Sequence, residues 1–395
     1  MIDDLPKCFK AGAAAANFKK SGRDDLGLIV SATPCIVAGL FTQNAFKAAP
    51  VQVCQEILRK GTPARAVLAN AGQANACTAE DGLANCRATQ FMVAEKLGLA
   101  PEEILPLSTG IIGQQLHMDR WLAAVPELVD SLGSRDAEGF TRAFMTTDAF
   151  PKFAARDLDL NGGRVRLTVM AKGAGMICPN MATMLCVALT DAVVERKTWQ
   201  SMFKRAVDKT FNRVSVDGDT STNDTILGLA NGASVVSVNS GADFALFEEI
   251  LTDILGKVAY MLVKDGEGAS KVIHIAVSGA RDDADAELAA RSIGHSQLVK
   301  TAIYGGDANW GRIVTVVGYS GAVFDPAKVS LVLCGIERFS KGQPVNDDQE
   351  ETLTQFLKAR DVEVHISLGD GAGVYALLAS DLGHEYVSLN ADYRS

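Results

Sequence analysis

One stretch of the chain joins a glycine-rich segment to an apolar, β-branched run, and a threonine stands at the junction. It reads KGAGMICPNMATMLCVALTDA, from Lys172 to Ala192, with Thr183 at the boundary between the two halves. A threonine hydroxyl becomes a nucleophile only when a base removes its proton. If the peptide bond between Ala182 and Thr183 were cut, the new α-amine, with an ordinary pKa of about 7.7–8.0, would be such a base. The pattern therefore suggests a self-cleaving enzyme in which one threonine is both nucleophile and base.

The same residues have an ordinary interpretation. Threonine is frequent at the start of β-strands, whatever the protein does. In favour of chemistry, the small residues Gly173, Gly175 and Ala182 would let the backbone fold back until the threonine hydroxyl reaches the carbonyl carbon of Ala182. Both interpretations remain open from this stretch alone.

Other familiar site patterns are incomplete. The five histidines are far apart, and there is no G-x-S-x-G motif, so a nucleophile would need a base other than an obvious histidine. The glycines of KGAG (172–175) and GDGAG (369–373) lack the rest of a nucleotide-binding fingerprint and are interpreted as tight turns. DGDTSTND (217–224) has calcium-loop spacing but Thr222 at the sixth position and Gly228 at the twelfth, where glycine and glutamate are needed. We interpret it as a turn that caps a helix beginning near Thr222 or Asn223.

Composition excludes several classes of protein. The 395 residues are 48% hydrophobic and 22% charged, with a net charge of −9, which argues against a general binder of nucleic acid. The N-terminus has no signal-peptide pattern, and no apolar run approaches the length of a membrane span. The eight scattered cysteines form no CxxC pair, so we expect reduced thiols, no zinc site and no disulfide framework. The sequence thus predicts a cytoplasmic globular protein with no membrane partner.

Short β-rich runs alternate with amphipathic helical patterns along the chain. Strands are predicted at 26–32, 37–42, 65–72, 104–110, 165–173, 184–192 and 271–280, and helices at 80–99, 118–133, 136–148, 196–212 and 242–263. After the acidic segment RDDADAE (281–287), the remaining residues predict helices at 284–302 and 347–360 and strands at 312–319, 329–334 and 362–368. We therefore expect an α/β protein with two domains, a catalytic domain at 1–280 and a smaller α/β domain at 281–395.

The motifs, taken in order, resemble those of a known family. They are GRDDLGLIVS, GLFTQNAFKAAPV, NAGQANACT, LSTGIIGQQL, TTDAFPK, KGAGMICPNMATML, FNRVSVDGDTSTNDT, VKDGEGASK, KTAIYGGDANWGRI and the ending LNADYRS. Together they are similar to the glutamate N-acetyltransferase/ornithine acetyltransferase family of arginine biosynthesis. The resemblance spans essentially the whole chain.

This resemblance implies a fold and a reaction. The fold would be an α/β sandwich of stacked sheets with flanking helices, like that of self-cleaving aminopeptidases, followed by the small C-terminal domain. The enzyme would move an acetyl group from N²-acetyl-L-ornithine to L-glutamate through an acetyl-threonine ester. It would need no metal or redox cofactor, and acetyl-CoA is a possible second donor. Cleavage of one precursor would give α and β chains that assemble as α2β2.

The resemblance also assigns residues. Cleavage would fall between Ala182 and Thr183, and Thr183 would be the nucleophile. Thr109 and Gly110 would form the oxyanion hole. The substrate-binding residues would be Thr146, Lys172, Thr183, Glu267, Asn390 and Ser395. Hydroxyl and ammonium donors suit the carboxylate of an acetylated amino acid, and the Glu267 carboxylate suits the amine of ornithine. Cys178 stands where alanine or histidine is usual in the family, which bears on the rate of cleavage.

Two alternatives of different classes remain beside this interpretation. The first is a self-cleaving aminopeptidase or amidase, in which water takes the acyl group. Glu267 and the polar tail from Asn390 to Ser395 argue against it, because both suit an amino-acid acceptor. The second is a non-catalytic protein that binds a metabolite, which an uncut chain would favour.

Overall fold

The fold is taken from a computed structural model, which describes residues 4–19, 22–178, 184–345 and 349–392. The strands are β1 (Phe9–Ala14), β2 (Leu26–Phe41), β3 (Ala64–Gln73), β4 (Ile104–Ile111), β5 (Lys152–Leu160), β6 (Gly163–Lys172), β7 (Leu185–Thr190), β8 (Val214–Ser215), β9 (Thr225–Ala230), β10 (Val272–Ala280), β11 (Ser330–Leu333), β12 (Ile336–Ser340), β13 (Gln343–Pro344), β14 (Asp361–Ser367) and β15 (Gly373–Ser380). The helices are α1 (Ala49–Lys60), α2 (Ala79–Leu97), α3 (Met118–Asp130), α4 (Ala137–Phe144), α5 (Arg196–Lys209), α6 (Gly241–Lys264), α7 (Asp283–His295), α8 (Gln297–Gly305), α9 (Trp310–Gly318), α10 (Glu350–Phe356) and α11 (His384–Asp392). The predicted α/β class is confirmed.

The chain forms two compact units. Of the described residues, the first unit contains those up to Asn212 together with Asp219–Leu262, and the second contains Arg213–Gly218 and those from Val263 to Asp392. The sequence placed the boundary at 280/281, after the strand that is now β10. In the structure β10 pairs with β14 on one side and β15 on the other, so it belongs to the second unit. The partners that decide its membership lie some ninety to a hundred residues further along the chain.

The first unit is built on a sheet in which β2 has a central place. Among the described residues the strand order is β4-β3-β2-β9-β7-β6-β5, with β1 also pairing with β2. The first half of β2 pairs with β1 and β3, its second half pairs with β9, and the register shifts between Val30 and Cys35. The two strands predicted at 26–32 and 37–42 are therefore one long strand. Because β2 pairs with β3 on one side and with β9 on the other, β4, β7 and β9 belong to the same sheet.

Helices of the first unit cover this sheet with apolar side chains. Phe140 and Phe144 of α4 lie one turn apart and are fully buried, as helical spacing requires for a core-facing stripe. Their core cluster also contains Val53 and Ile57 of α1. A second cluster contains Trp121 and Leu128 of α3, packed with Val93 of α2. Side chains of α1 and α4 therefore pack in the same cluster as side chains of β4 and β6, the strands that carry predicted site residues.

The second unit has its own sheet and its own core. Its described strands run in the order β13-β12-β11-β14-β10-β15-β8. Helix α7 buries Ala286, Ala289, Ala290 and Ile293 in the cluster formed with β10 and β14. The single helix predicted at 284–302 is two helices, because Ser296 has an extended backbone and its hydroxyl caps α8 by accepting the N–H of Val299 at 3.3 Å.

Two predicted elements are wrong. The strand predicted at 312–319 is helix α9, whose buried Ile313, Val316 and Val317 follow helical rather than alternating spacing. The Asn309 side chain caps this helix by accepting the N–H of Arg312. The acidic turn at 217–224 leads into strand β9 and not into a helix. At 312–319 the β-branched residues indicated a strand, and at 217–224 the turn residues indicated the start of a helix. In both places packing against distant segments outweighed the local preference.

Within the described ranges, no helix has the length and apolar character that crossing a membrane would require.

Candidate active site

The end of β4 carries the two residues predicted for the oxyanion hole. Strands β3 and β4 run parallel, and Gly110 of β4 lies beside Gly72 of β3. Gly110 has a φ of +130°, and a Cβ built on it would lie only 2.2 Å from the carbonyl carbon of Gly72. Glycine is therefore required at this position on both conformational and steric grounds. The neighbouring Thr109 is buried at the same strand end.

A lysine joins two other predicted side chains. Lys172 is the last residue of β6, and its ammonium group is buried. Its Nζ donates hydrogen bonds to Oγ1 of Thr109 at 3.1 Å and to Oγ1 of Thr146 at 2.7 Å. Residues 109, 146 and 172, which are distant in sequence, thus meet at one point of the first unit. We call these three residues the Lys172 cluster.

A buried carboxylate that the sequence analysis missed supports the Lys172 cluster. Asp148 accepts hydrogen bonds at Oδ1 from Nζ of Lys152 and from the N–H of Gly173, both at 2.6 Å, and at Oδ2 from the N–H of Thr146 at 2.9 Å. Burial alone would raise its pKa, but the charges of Lys172 and Lys152, with these hydrogen bonds, bring the pKa of Asp148 down to about 2. Asp148 is therefore ionised at neutral pH. Its hydrogen bonds fix the backbone at Thr146 and at Gly173, the residue that follows Lys172.

The residue after the predicted nucleophile is held by a second buried carboxyl group. Asp224 Oδ1 accepts the N–H of Met184 at 3.0 Å, and the N–H of Thr225 donates to the Met184 carbonyl at 3.1 Å. Asp224 is fully buried, and among the described residues its Oδ2 has no hydrogen-bond partner. Burial raises the pKa of this carboxyl well above its ordinary value. Thr183 and Ala182 themselves lie outside the described residues.

The turn that the sequence analysis interpreted as a helix cap instead positions the strand ends. The side-chain amide of Asn223 donates to the carbonyl of Ala74 at 2.6 Å and to the carbonyl of Ser108 at 2.8 Å. Asn223 is buried, and its Oδ1 accepts a hydrogen bond from the hydroxyl of Thr222. The turn therefore ties β9 to the ends of β3 and β4, directly before Thr109.

Two further predicted substrate-binding residues meet in the second unit. Nδ2 of Asn390, on α11, donates to Oε2 of Glu267 at 3.0 Å. Ser395, the last predicted residue, lies outside the described residues. No group of three or more histidine, cysteine, aspartate or glutamate side chains suited to a metal ion occurs within the described part of the chain.

Of the missed residues, only the ion pair of Asp148 and Lys152 left a usable signal in the sequence. Asp148 and Lys152 both lie in the quoted motif TTDAFPK, so that motif already contained the ion pair. Asp224 and Asn223 also lie in a quoted motif, but their spacing indicated a turn and not contacts with β3, β4 and β7. A contact between strands that are far apart in sequence leaves no local pattern.

The chain is similar to known proteins over nearly all of its length. The model of the ArgJ family matches residues 10–395. The relative named arginine biosynthesis bifunctional protein ArgJ from Nitratidesulfovibrio vulgaris is 59% identical over 390 residues, which is 99% of each chain. The protein of the same name from Geobacter sulfurreducens is 44% identical, covering 98% of this chain and 99% of its own. The solved structure of that protein from Bacillus halodurans is 37% identical with a TM-score of 0.50, and it covers 51% of this chain and 96% of its own.

Proposed function

Because the chain belongs to the ArgJ family, we propose that it moves an acetyl group from N²-acetyl-L-ornithine to L-glutamate, with acetyl-CoA as a second donor. Its relatives bear the name of a bifunctional protein of arginine biosynthesis, which fits two acetyl donors for one acceptor. The observation that carries the proposal is the Lys172 cluster. It gathers a buried cation and two hydroxyl groups beside the required glycine at 110.

The enzyme first matures by cutting itself. The Oγ of Thr183 attacks the carbonyl carbon of Ala182, the bond from that carbon to the nitrogen of Thr183 breaks, and the nitrogen takes the hydroxyl proton. The α-amine is thereby free, and water then hydrolyses the resulting ester, which leaves a carboxylate on Ala182 and frees the hydroxyl of Thr183. Met184, the next residue, is anchored through its N–H to Asp224 and through its carbonyl to Thr225. That anchoring favours a new N-terminus that stays in one position after the cut.

Acetyl transfer then proceeds in two half-reactions. The α-amine of Thr183 takes the hydroxyl proton while Oγ attacks the acetyl carbon of acetylornithine; ornithine leaves with a proton, and the acetyl group remains on Oγ. The amine of glutamate attacks this ester in turn, the bond from the acetyl carbon to Oγ breaks, and the threonine hydroxyl regains a proton that the attacking amine loses. In each step the negative charge on the acetyl oxygen is stabilised by Thr109 and Gly110. Loss of one such donor typically costs about 10²–10³ in rate.

The hydrogen bonds of Lys172 suit these roles. Since Thr109 and Thr146 each accept a hydrogen bond from the ammonium group, their own hydroxyl protons are left to donate in another direction. A hydroxyl polarised by a neighbouring cation is a stronger donor. Thr109 would direct its proton at the developing oxyanion, and Thr146 and Lys172 would bind the substrate carboxylate.

The remaining features of the proposal follow from the family. The substrate's polar groups would also contact Glu267, Asn390 and Ser395. The α and β chains would form an α2β2 assembly, and acyl transfer to a hydroxyl group calls for no metal or redox cofactor. All eight cysteines are free thiols, which is typical of a protein of the cytoplasm.

Steady-state kinetics test the covalent intermediate. Donor and acceptor that visit one site in turn should give parallel double-reciprocal lines. Labelled ornithine should exchange into acetylornithine in the absence of glutamate. Intersecting lines without exchange would contradict the acetyl-threonine ester and point to direct transfer. Hydrolysis of acetylornithine at the same rate with and without glutamate would instead favour the amidase alternative.

Removal of the C-terminal tail tests its part in the site. Deletion of 390–395 is expected to abolish transfer while self-cleavage continues, because the hydrogen bond between Asn390 and Glu267 is lost with the tail. The two functions are measured separately, by the transfer assay and by a denaturing gel. Asn390→Ala is the matched single substitution and should raise the KM for acetylornithine. Full transfer activity in the truncated protein would remove the tail from the site.

A further inference from the structure

A small cavity lies beside the Lys172 cluster in the first unit. Its volume is about 300 Å³, and it is bounded on one side by Thr146 and Asp148. Thr146 is also the residue that accepts the 2.7 Å hydrogen bond from Lys172. The cavity therefore adjoins the proposed reaction site through a shared side chain. Its other charged lining residues are Lys19, Arg23, Asp24 and Arg142.

Most of the charges that line the cavity already have partners. These ion pairs are Asp24 with Arg135 at 3.1 Å, Arg142 with Glu138 at 2.6 Å and Asp148 with Lys152 at 2.6 Å. Among the described residues, neither Lys19 nor Arg23 forms an ion pair with a carboxylate. The balance of charge in the cavity is consequently positive, and two cations remain for an anion to bind.

Lys19 is in a setting where a bound anion would be stabilised. Its side chain is half-buried, and its Nζ donates to the carbonyl oxygen of Met145. Burial, followed by the charges of Lys172 and Arg23, outweighs the opposing charges of Asp25 and Asp148 and lowers the pKa of Lys19 to about 8. A partly desolvated ammonium gains more from a carboxylate than an exposed one does.

We propose that this cavity is the subsite for the side-chain carboxylate of the acetyl acceptor, with Lys19 and Arg23 as its cationic ligands. The inference rests on the proposed function, in which one site accepts two amino acids in turn. Ornithine ends in a cation and glutamate ends in an anion, so the same acidic contact cannot serve both. A cavity with uncommitted positive charge beside Thr146 supplies the contact that only glutamate needs.

The experiment compares glutamate with glutamine as acceptor. Glutamine has nearly the same shape but no side-chain charge. The kcat/KM for glutamate divided by the kcat/KM for glutamine therefore reports on the charge contact alone. In Lys19→Met this ratio is expected to fall about 10- to 100-fold, the usual worth of a hydrogen bond between charged groups. Lys19→Arg should keep most of the preference. Arg23→Met, at an exposed position, should lower the ratio in the same direction and provides a second variant if Lys19→Met does not fold.

A pH series separates charge from shape. As the pH rises through about 8, Lys19 loses its proton in the free enzyme, and the KM for glutamate should rise. Lys19→Arg remains charged and should lack this rise relative to wild type. Lys204→Met, at an exposed lysine on α5 that does not line the cavity, is the matched control and should leave the ratio unchanged.

The outcomes distinguish this inference from the proposed function. If wild-type protein exchanges label between ornithine and acetylornithine, and Lys19→Met and Arg23→Met both keep the wild-type ratio, the subsite is wrong although the transferase is right. A raised KM for acetyl-CoA with an unchanged ratio would likewise overturn it, because the cavity would then bind the phosphates of the donor. Absence of label exchange in the wild-type protein would contradict the proposed function itself.

Discussion

Thr183→Ala is expected to remain one uncut chain of 395 residues and to have no transferase activity. Without the hydroxyl group nothing attacks the carbonyl carbon of Ala182, so neither the nucleophile nor the free α-amine is formed. The variant should still fold, since one hydroxyl group contributes about 1 kcal/mol or less to the free energy of unfolding. A denaturing gel and a thermal unfolding curve measure both expectations.

Wild-type protein and Thr183→Ser are the comparisons for this variant. The wild type should separate on the gel into residues 1–182 and 183–395, and the second piece should begin Thr-Met-Leu-Cys on N-terminal sequencing. Thr183→Ser keeps a hydroxyl group and should cleave, more slowly, with some residual transfer. A fully active wild-type enzyme that is still a single chain would show that the self-cleaving threonine mechanism is wrong.

Asp148→Ala should lower the free energy of unfolding by about 3–5 kcal/mol, the usual cost of removing one partner from a buried ion pair. The substitution leaves the fully buried ammonium of Lys152 without its 2.6 Å partner. It also leaves the N–H groups of Thr146 and Gly173 without their acceptor. Because these groups hold the Lys172 cluster, transfer activity should fall in the same variant. Denaturant unfolding and the transfer assay measure the two effects.

Three controls test the cause of that loss. Asp157→Ala removes a carboxylate that pairs with Arg166 at the solvent-accessible surface of β5 and β6, and should cost about 1 kcal/mol or less. Adding Lys152→Met to Asp148→Ala should recover part of the stability, because the buried ammonium that lost its 2.6 Å carboxylate is then removed as well. The stability advantage of wild type over Asp148→Asn should be full above pH 4 and shrink between about pH 4 and 2, as Asp148 is protonated in the folded state. An advantage independent of pH over that range would show that the charge of Asp148 contributes nothing.

The α/β class and most elements were predictable because their signals are local. Helix α5 could be identified because Trp199, Met202, Phe203, Ala206 and Val207 follow helical spacing, and all five are buried on one face. The motifs were informative for the same reason. Each is a short contiguous stretch that can be recognised without knowledge of tertiary contacts. Their order along the chain was enough to indicate the family, which the comparisons confirm.

Elements whose signals conflicted required the tertiary structure. The β-branched residues of α9 indicate a strand, yet Asn309 caps a helix there and Ile313, Val316 and Val317 pack into the core of the second unit. Strand β10 was correctly placed in the sequence, but the unit to which it belongs depends on β14 and β15. Local propensity is worth about 1 kcal/mol or less for each residue, and packing readily outweighs it.

The sequence alone determined the family resemblance and the residue types at Thr109, Gly110, Thr146 and Lys172. The tertiary structure decided that Lys172 donates to both threonines, that Asp148 is a buried anion, and that Asp224 holds the backbone at Met184. It also decided that Lys19 faces a cavity beside Thr146. A side chain's charge, burial and hydrogen-bond partners depend on neighbours from distant segments, and only the folded chain brings those segments within a few ångströms of one another.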